Sequence, residues 1–389
     1  MEKNFEMLAK TFYGMESLLA GELLSLGAQD IKKGNRLVHF KGDKGFMYKA
    51  NLCLRTALKI LKPFYHFKAN NEHELYEKIY NFDWNDLLSP NETFLIDSVV
   101  SGQVFTHSLY ASQRTKDAIV DRIRKQTGDR PNVDTRHPDF RIHLHIYENE
   151  CSISLDSSGS SLHHRGYRSA TNIAPMNEVL AACLVQLSGW DRQTDFIDPM
   201  CGSGTILIEA AMLACDIPAN LNRNEFAFEK WSDWDASLFD KIRQSQLKKV
   251  KSPVGKIYGF DKAPSAVEKA IQNVKNASLE DFIHVNRANF FHSSKIGETP
   301  LHLLTNPPYG ERLEGDIDGL YQEFGDTLKR NYPNTNAWMI SSNFEAMKFV
   351  GLRPTRKIKL FNGKLESRLC LFPIYAGTKK IHKLKKDEN

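Results

Sequence analysis

Between residues 190 and 374, short apolar runs alternate with helix-like segments, and each of the first four runs stops on a polar side chain. Residues 194–198 end on Asp198 and then Pro199. Residues 256–261 end on a second acid, Asp261. Residues 283–286 run into Asn289, and residues 301–304 run into Asn306-Pro307-Pro308-Tyr309. Alternation of this kind predicts an α/β domain, a mostly parallel sheet with helices on its faces. Ligands of such sheets bind outside the carboxyl ends of the strands, where these stops fall.

Two of the corners have a local chemistry of their own. Met200-Cys201-Gly202-Ser203-Gly204-Thr205 is a tight turn before a helix spanning 206–215, and its glycines let backbone pass close to a ligand. It has neither the lysine of a phosphate loop nor the third glycine of a dinucleotide fingerprint. At the fourth corner two prolines forbid continuation as central strand or helix. The residue before a proline is pushed to extended backbone, so Asn306 is held in one pose. Its amide and the Pro307 carbonyl then sit beside the Tyr309 ring, rigid acceptors next to a flat surface, which suits a planar amine. By itself this corner reads equally well as a stiff loop without chemistry.

The first 156 residues read differently. Residues 5–63 form a small α+β unit, with a helix ending near Gly27, a strand at 36–40 and a second helix capped by Asp43. Residues 64–156 contain a helix at 72–80, a strand at 94–100, a helix with a basic face at 114–123 and a hairpin turning at 148–150. The basic stretch 162–168, with Arg165 and Arg168, suits a linker entering a new domain, with a solvated or RNA-facing role rather than metal ligation. The segment 217–253 is an insertion rich in aromatics and charge (Phe226, Phe228, Trp231, Trp234), suited either to capping the domain or to stacking on RNA.

Composition bounds the class. The 389 residues are 41% hydrophobic and 25% charged, ordinary values for a globular chain, and the net charge of +5 permits a nucleic-acid partner without requiring one. Six scattered cysteines without metal spacing predict free thiols in a reducing cytoplasm and no metal site. No run approaches the ~18 apolar residues of a membrane span, and residues 1–10 lack a signal-peptide core.

Phe94 to Val100, Phe105-Thr106-His107-Ser108-Leu109-Tyr110 and Asp117-Ala118-Ile119-Val120-Asp121 resemble a THUMP domain, a family of RNA-binding modules, which implies an RNA partner with Arg114, Lys116, Arg122, Arg124 and Lys125 near its phosphates. Asp198-Pro-x-Cys-Gly-Ser-Gly-Thr resembles the first motif of class I S-adenosylmethionine-dependent methyltransferases. The order of acid–glycine turn, second acid, polar stop and Asn-Pro-Pro-Tyr matches the amino-methyltransferase layout. Together the two halves look like THUMP-containing RNA guanine-N2 methyltransferases, and Asn-Pro-Pro-Tyr-Gly-Glu-Arg-Leu, ending at Leu313, is similar to the bacterial enzymes acting on 23S rRNA.

The resemblance implies a ferredoxin-like domain over 1–63, a THUMP domain over 64–156, a Rossmann-like methyltransferase domain over 157–378 and a basic tail over 379–389. It implies S-adenosylmethionine as cofactor, held by Asp198, Pro199, Cys201, Gly202 and Gly204, with Asp261 on the ribose and Asn289 on the adenine. Asn289 departs from the acid often found at that place. Asn306 and Pro307 would accept the protons of the target amine, with Tyr309 stacked on the base. Glu311 and Arg312 are read as holding the loop or the nucleotide, the structural role preferred. The motif serves amines rather than one base, so tRNA guanine and DNA adenine N6 stay open as targets, as does a non-catalytic RNA-binding factor. Cys201 lies in the cofactor turn without a basic partner, and covalent catalysis is rejected.

Overall fold

The computed structural model describes residues 3–85, 87–169, 176–295, 297–308, 316–363 and 365–376. Its chain divides into two units. One gathers Met1–Thr11, Leu19–Leu162 and Asn224–Gln244; the other gathers Phe12–Leu18, His163–Arg223 and Ser245–Asn389.

The N-terminal elements are β1 (Phe5–Lys10), α1 (Glu16–Leu26), β2 (Gln29–Lys33), β3 (Leu37–Gly42), α2 (Lys44–Cys53), β4 (Lys59–Lys68), α3 (Glu72–Tyr80), β5 (Thr93–Ser101), α4 (Ser108–Thr127), β6 (Asn132–Val133), β7 (Phe140–Tyr147) and β8 (Glu150–Asp156). Asp43 caps α2 as expected, accepting from the Phe46 N–H at 2.7 Å. All eight strands form one sheet in the order β2-β3-β1-β4-β8-β7-β5-β6. The antiparallel pairing of β4 with β8, from Leu61↔Asp156 to Lys68↔Glu150, joins the two N-terminal segments. A boundary drawn at residue 63 therefore cuts a strand. Pro63 is tolerated there because the register slips between Pro63 and Tyr65, a bulge that absorbs the missing N–H.

The second unit carries α5 (Glu178–Leu187), β9 (Asp195–Asp198), α6 (Thr205–Ala214), the end of α7 (Ala236–Leu247), β10 (Ile257–Asp261), α8 (Pro264–Asn276), β11 (Ile283–Arg287), β12 (Leu301–Thr305), α9 (Ile317–Asn331), β13 (Thr335–Ser341), β14 (Arg356–Asn362) and β15 (Leu365–Ile374). Its seven strands run in the order β11-β10-β9-β12-β13-β15-β14. The first five are parallel, and β15 pairs antiparallel with both β13 and β14. This is the Rossmann-like sheet that the resemblance implied. Helices α5 and α6 are apolar on nearly every face and buried accordingly.

The insertion is a packing element of the first unit. Phe226, Phe228 and Trp231 are buried. The Phe228 ring stacks on Tyr48 at 4.5 Å between centroids, and Trp234 and Phe239 meet the same ring edge-on. Asp235 N–H donates to the Tyr48 hydroxyl at 3.2 Å. Aromatic side chains bury roughly 150–250 Å² each. That gain draws residues 224–244 away from the sheet that flanks them in sequence, and it leaves Phe226, Phe228 and Trp231 unavailable for stacking on RNA.

Candidate active site

The chain adds β10 on one side of β9 and later β12 on the other, so their carboxyl ends enclose a topological switch point. Register places Asp198 beside Gly259 of β10 and Ile197 beside Leu303 of β12. Thr305, two residues further along β12, reaches back across the gap. Its Oγ1 donates to Asp198 Oδ1 at 2.7 Å, and the Met200 N–H donates to the same oxygen at 3.2 Å. Asp198 is only 1% exposed. Burial pushes its carboxyl up to about 7, the charge of Asp261 adds to the rise, and the bonds from Thr305 and Met200 oppose it.

The glycine turn is braced from the neighbouring strand. Asp261 Oδ2 accepts from the Gly202 N–H at 3.0 Å, while Oδ1 accepts from the Ala263 N–H at 2.9 Å. Gly202 and Gly204 have φ of 55° and 80°, the left-handed region that glycine enters without strain. A Cβ on Gly204 would also lie 3.3 Å from the Ala270 Cβ of α8. Cys201 is buried, with its N–H bonded to the Phe260 carbonyl at 2.8 Å. Burial first, then the charges of Asp198 and Asp261, hold its thiol well above the usual range. A nucleophilic thiolate needs the reverse surroundings. Pro199 is buried directly after Asp198. Asn289 Oδ1 already accepts from the Phe291 N–H at 3.2 Å, capping a short helical turn at Phe290–His292.

At the end of β12 the accounting changes. Asn306 Oδ1 is buried and has no hydrogen-bond partner among the described residues. Pro307 is buried beside it. Tyr309, Glu311 and Arg312 lie outside the described residues, as does the tail from 379 onward.

Arg165 and Arg168, expected to face RNA, are instead consumed inside the second unit. The Arg165 side chain is fully buried. Its Nε lies 3.3 Å from Glu209 Oε1 and its Nη1 donates to Asn220 Oδ1 at 3.0 Å, while the Tyr167 hydroxyl also donates to Glu209. Arg168 bonds Glu178 Oε1 at 2.7 Å, the Met176 carbonyl and Thr205 Oγ1. The basic stretch is thus no solvated linker. It closes on α5 and α6 because two carboxylates within those apolar helices require cations. Gly166 permits the approach: a Cβ there would lie 1.8 Å from the Asn222 carbonyl.

Sequence reading passed over Thr305, Glu178, Glu209 and Asn273. The last bridges Ser203 O and Ser169 N at 3.0 and 3.2 Å, tying the turn to α8. An acid set among Ile206, Leu207, Ile208 and Ala210 was the available signal for Glu209.

In the first unit, α4 presents Arg114, Lys116 and Arg122 as partly exposed cations. Arg114 lies 4.6 Å over the Tyr76 ring and Arg122 lies 5.9 Å over Tyr80. Lys116 pairs with Asp117 at 2.6 Å and Arg124 with Asp121 at 2.8 Å. Among the described residues no cluster of His, Cys, Asp or Glu could hold a metal ion, and no helix is long and apolar enough to cross a membrane.

Comparison with known proteins gives this geometry a family. Residues 6–61 match the RlmL ferredoxin-like domain, 69–156 the THUMP domain and 165–370 the RMKL-like methyltransferase domain. The ribosomal RNA large subunit methyltransferase K/L of Methylococcus capsulatus is 38% identical over 371 residues, covering 93% of this chain and 50% of that protein. The chain spans about half the length of the K/L relatives it matches. The Synechocystis protein slr0064 is 34% identical over 365 residues, covering 93% of this chain and 95% of its own. The crystal structure of SMU.472 in complex with SAH superposes with a TM-score of 0.86 at 30% identity, covering 97% of this chain and all of that one. The chain belongs to the RMKL-like methyltransferase family, with a ferredoxin-like and a THUMP domain ahead of the methyltransferase domain.

Proposed function

We propose that this chain transfers a methyl group from S-adenosylmethionine to the exocyclic N2 amine of a guanine in RNA, with 23S rRNA as the target. The observation that carries the reading is Asn306 Oδ1, a buried acceptor at the end of β12 with no partner among the described residues. Leaving such an atom unsatisfied costs about 1–3 kcal/mol, a cost that a donor on the substrate removes. The bound cofactor supplies an activated methyl. The residues fit that group: Gly202 and Gly204 keep the turn free of side chains, Asp198 offers a carboxylate to an ammonium, and Asp261 keeps lone pairs for ribose hydroxyls beside its two backbone bonds.

An exocyclic amine is a poor nucleophile because its lone pair is delocalised into the ring. Asn306 Oδ1 and the Pro307 carbonyl, accepting hydrogen bonds from its two N–H groups, localise that pair and aim it, and the one proton that the methylated amine sheds leaves to solvent. Orientation and fixed dipoles then lower the barrier without a strong base. Tyr309, which lies outside the described residues, is the ring on which the resemblance has the base stack once it is out of its helix. Support for RNA comes from the THUMP match and from Arg114 and Arg122 on α4, and support for rRNA from the name of the Methylococcus relative.

Mass spectrometry of nucleosides from cells lacking the protein tests the target. N2-methylguanosine should fall in 23S rRNA and return with the wild-type chain. A loss confined to tRNA, or to N6-methyladenine in DNA, overturns the assignment.

A further inference from the structure

β12 carries two polar residues on five buried positions: His302, which bonds the Ser188 hydroxyl, and Thr305 at its carboxyl end, itself 0% exposed. Its hydroxyl reaches the acid of the neighbouring strand, and its backbone carries Asn306 as the next residue. We propose that Thr305 is a positioning residue that fixes the Asp198 carboxylate for the cofactor's ammonium and ties it mechanically to the strand end presenting Asn306. The inference rests on the methyl-transfer reading given above.

The geometry is specific about which oxygen is used. Both hydrogen bonds to Asp198 from described residues, those of Thr305 and of the Met200 N–H, end on Oδ1. Oδ2 is thereby the atom left to a cationic ligand. The hydroxyl also acts on charge. Burial favours the neutral acid, and the groups around it on other elements make this worse: Asp261 at the end of β10 repels a second negative charge, and the buried Cys201 thiol offers no cation. The bond from Thr305 is the largest influence on the other side. With the carboxyl at about 7, a small change in that bond alters the ionised fraction at neutral pH.

The test compares the wild type with Thr305→Val, which keeps shape and removes the hydroxyl, and with Thr305→Ser, which keeps the hydroxyl. Asp carboxyls labelled with carbon-13 are titrated by NMR in the full chain without ligand, with Asp198→Asn identifying the resonance. The Asp198 midpoint should move up by about one pH unit in the valine variant and return in the serine variant, a tenfold change in the ionisation constant. Affinity for S-adenosylmethionine, measured by calorimetry between pH 6 and 8.5, should show the same displacement. An unchanged midpoint in Thr305→Val overturns the positioning role, whatever the ligand result. A normal midpoint shift with no S-adenosylmethionine binding by the wild type refutes the methyl-transfer reading and the cofactor-facing role of Thr305 with it, leaving only the strand-to-strand bond.

Discussion

The polar groups buried in the second unit are of two kinds. Arg165 with Glu209, and Arg168 with Glu178, answer one another's charges within the fold. Asp198 and Asn306 do not: among the described residues the carboxylate has neutral donors on Oδ1 but no cation, and the amide oxygen has no partner. Each kind has a member within a few residues of the glycine turn, Glu209 after it and Asp198 before it, so proximity to the turn does not separate them. Satisfaction does. The ion pairs keep two helices and the segment 163–169 together, whereas a buried carboxyl without a countercharge and an amide oxygen without a donor among the described residues raise the energy of the unliganded fold and mark where a ligand completes it.

The largest expected effect breaks the first kind. Arg165→Met leaves Glu209 buried without its cation, and losing one partner of such a pair costs about 3–5 kcal/mol. Denaturant unfolding reads this directly. Adding Glu209→Leu should recover most of the loss, since an apolar pair replaces a buried ion pair at little cost. A loss below 1 kcal/mol in the single variant would move Arg165 out of the structural set.

Asp198 should behave in the opposite sense. Its folded carboxyl stands at about 7 against an ordinary 3.8. A carboxyl raised by folding favours the folded state while protonated, so its contribution is full below about 4 and is lost as pH rises through about 7. The difference corresponds to on the order of 4 kcal/mol. Asp198→Asn cannot ionise, and its stability relative to the wild type should rise between pH 4.5 and pH 8. A parallel pH dependence in the two proteins would show the carboxylate to be solvated.

Next in size is Asn306→Ala. Removing one preorganised group of this sort lowers turnover by about 10²–10³. Affinity for S-adenosylmethionine should hold, and the melting temperature should not fall, because the deleted oxygen bonds nothing in the described fold. Lowered stability with intact turnover would reassign Asn306 to the structural kind.

Much of this was open to sequence reading, and what was not has a common cause. Strand–helix alternation and the four polar stops reveal the parallel sheet and its edge, since periodicity and prolines act over a few residues. α3 begins and ends where the pattern puts it, at Glu72 and Tyr80. Depth and distant partners are invisible locally. Arg165 looks like any surface arginine until Glu209 is found to face it. Pro63 looks like a boundary until β8 pairs across its bulge. The aromatics of 226–239 offer the same rings to RNA or to Tyr48, and only the fold decides between them. Thr305 was hidden because a threonine ending an apolar strand needs no explanation until its hydroxyl meets Asp198.

The smallest effect extends the comparison to the first unit, where cations have a third sort of neighbour. On α4, Arg114 and Arg122 face the rings of Tyr76 and Tyr80. The nearby acid is otherwise engaged, since Asp121 accepts from the Tyr76 hydroxyl at 2.8 Å and pairs with Arg124. The Nε atoms of both arginines are buried without a partner among the described residues. A ring holds a guanidinium in place without cancelling its charge, so these two remain available to phosphate, whereas Lys116 is answered by Asp117. Replacing Arg114 and Arg122 by Gln should weaken RNA binding severalfold and lower its salt slope by roughly 0.7–0.9 per contact removed. Stability should fall only by the cation–π contribution, about 0.5–1 kcal/mol per site. Lys116→Gln should change the salt slope less than either arginine, and an equal change for all three would mean that the neighbour of a surface cation does not select it for RNA.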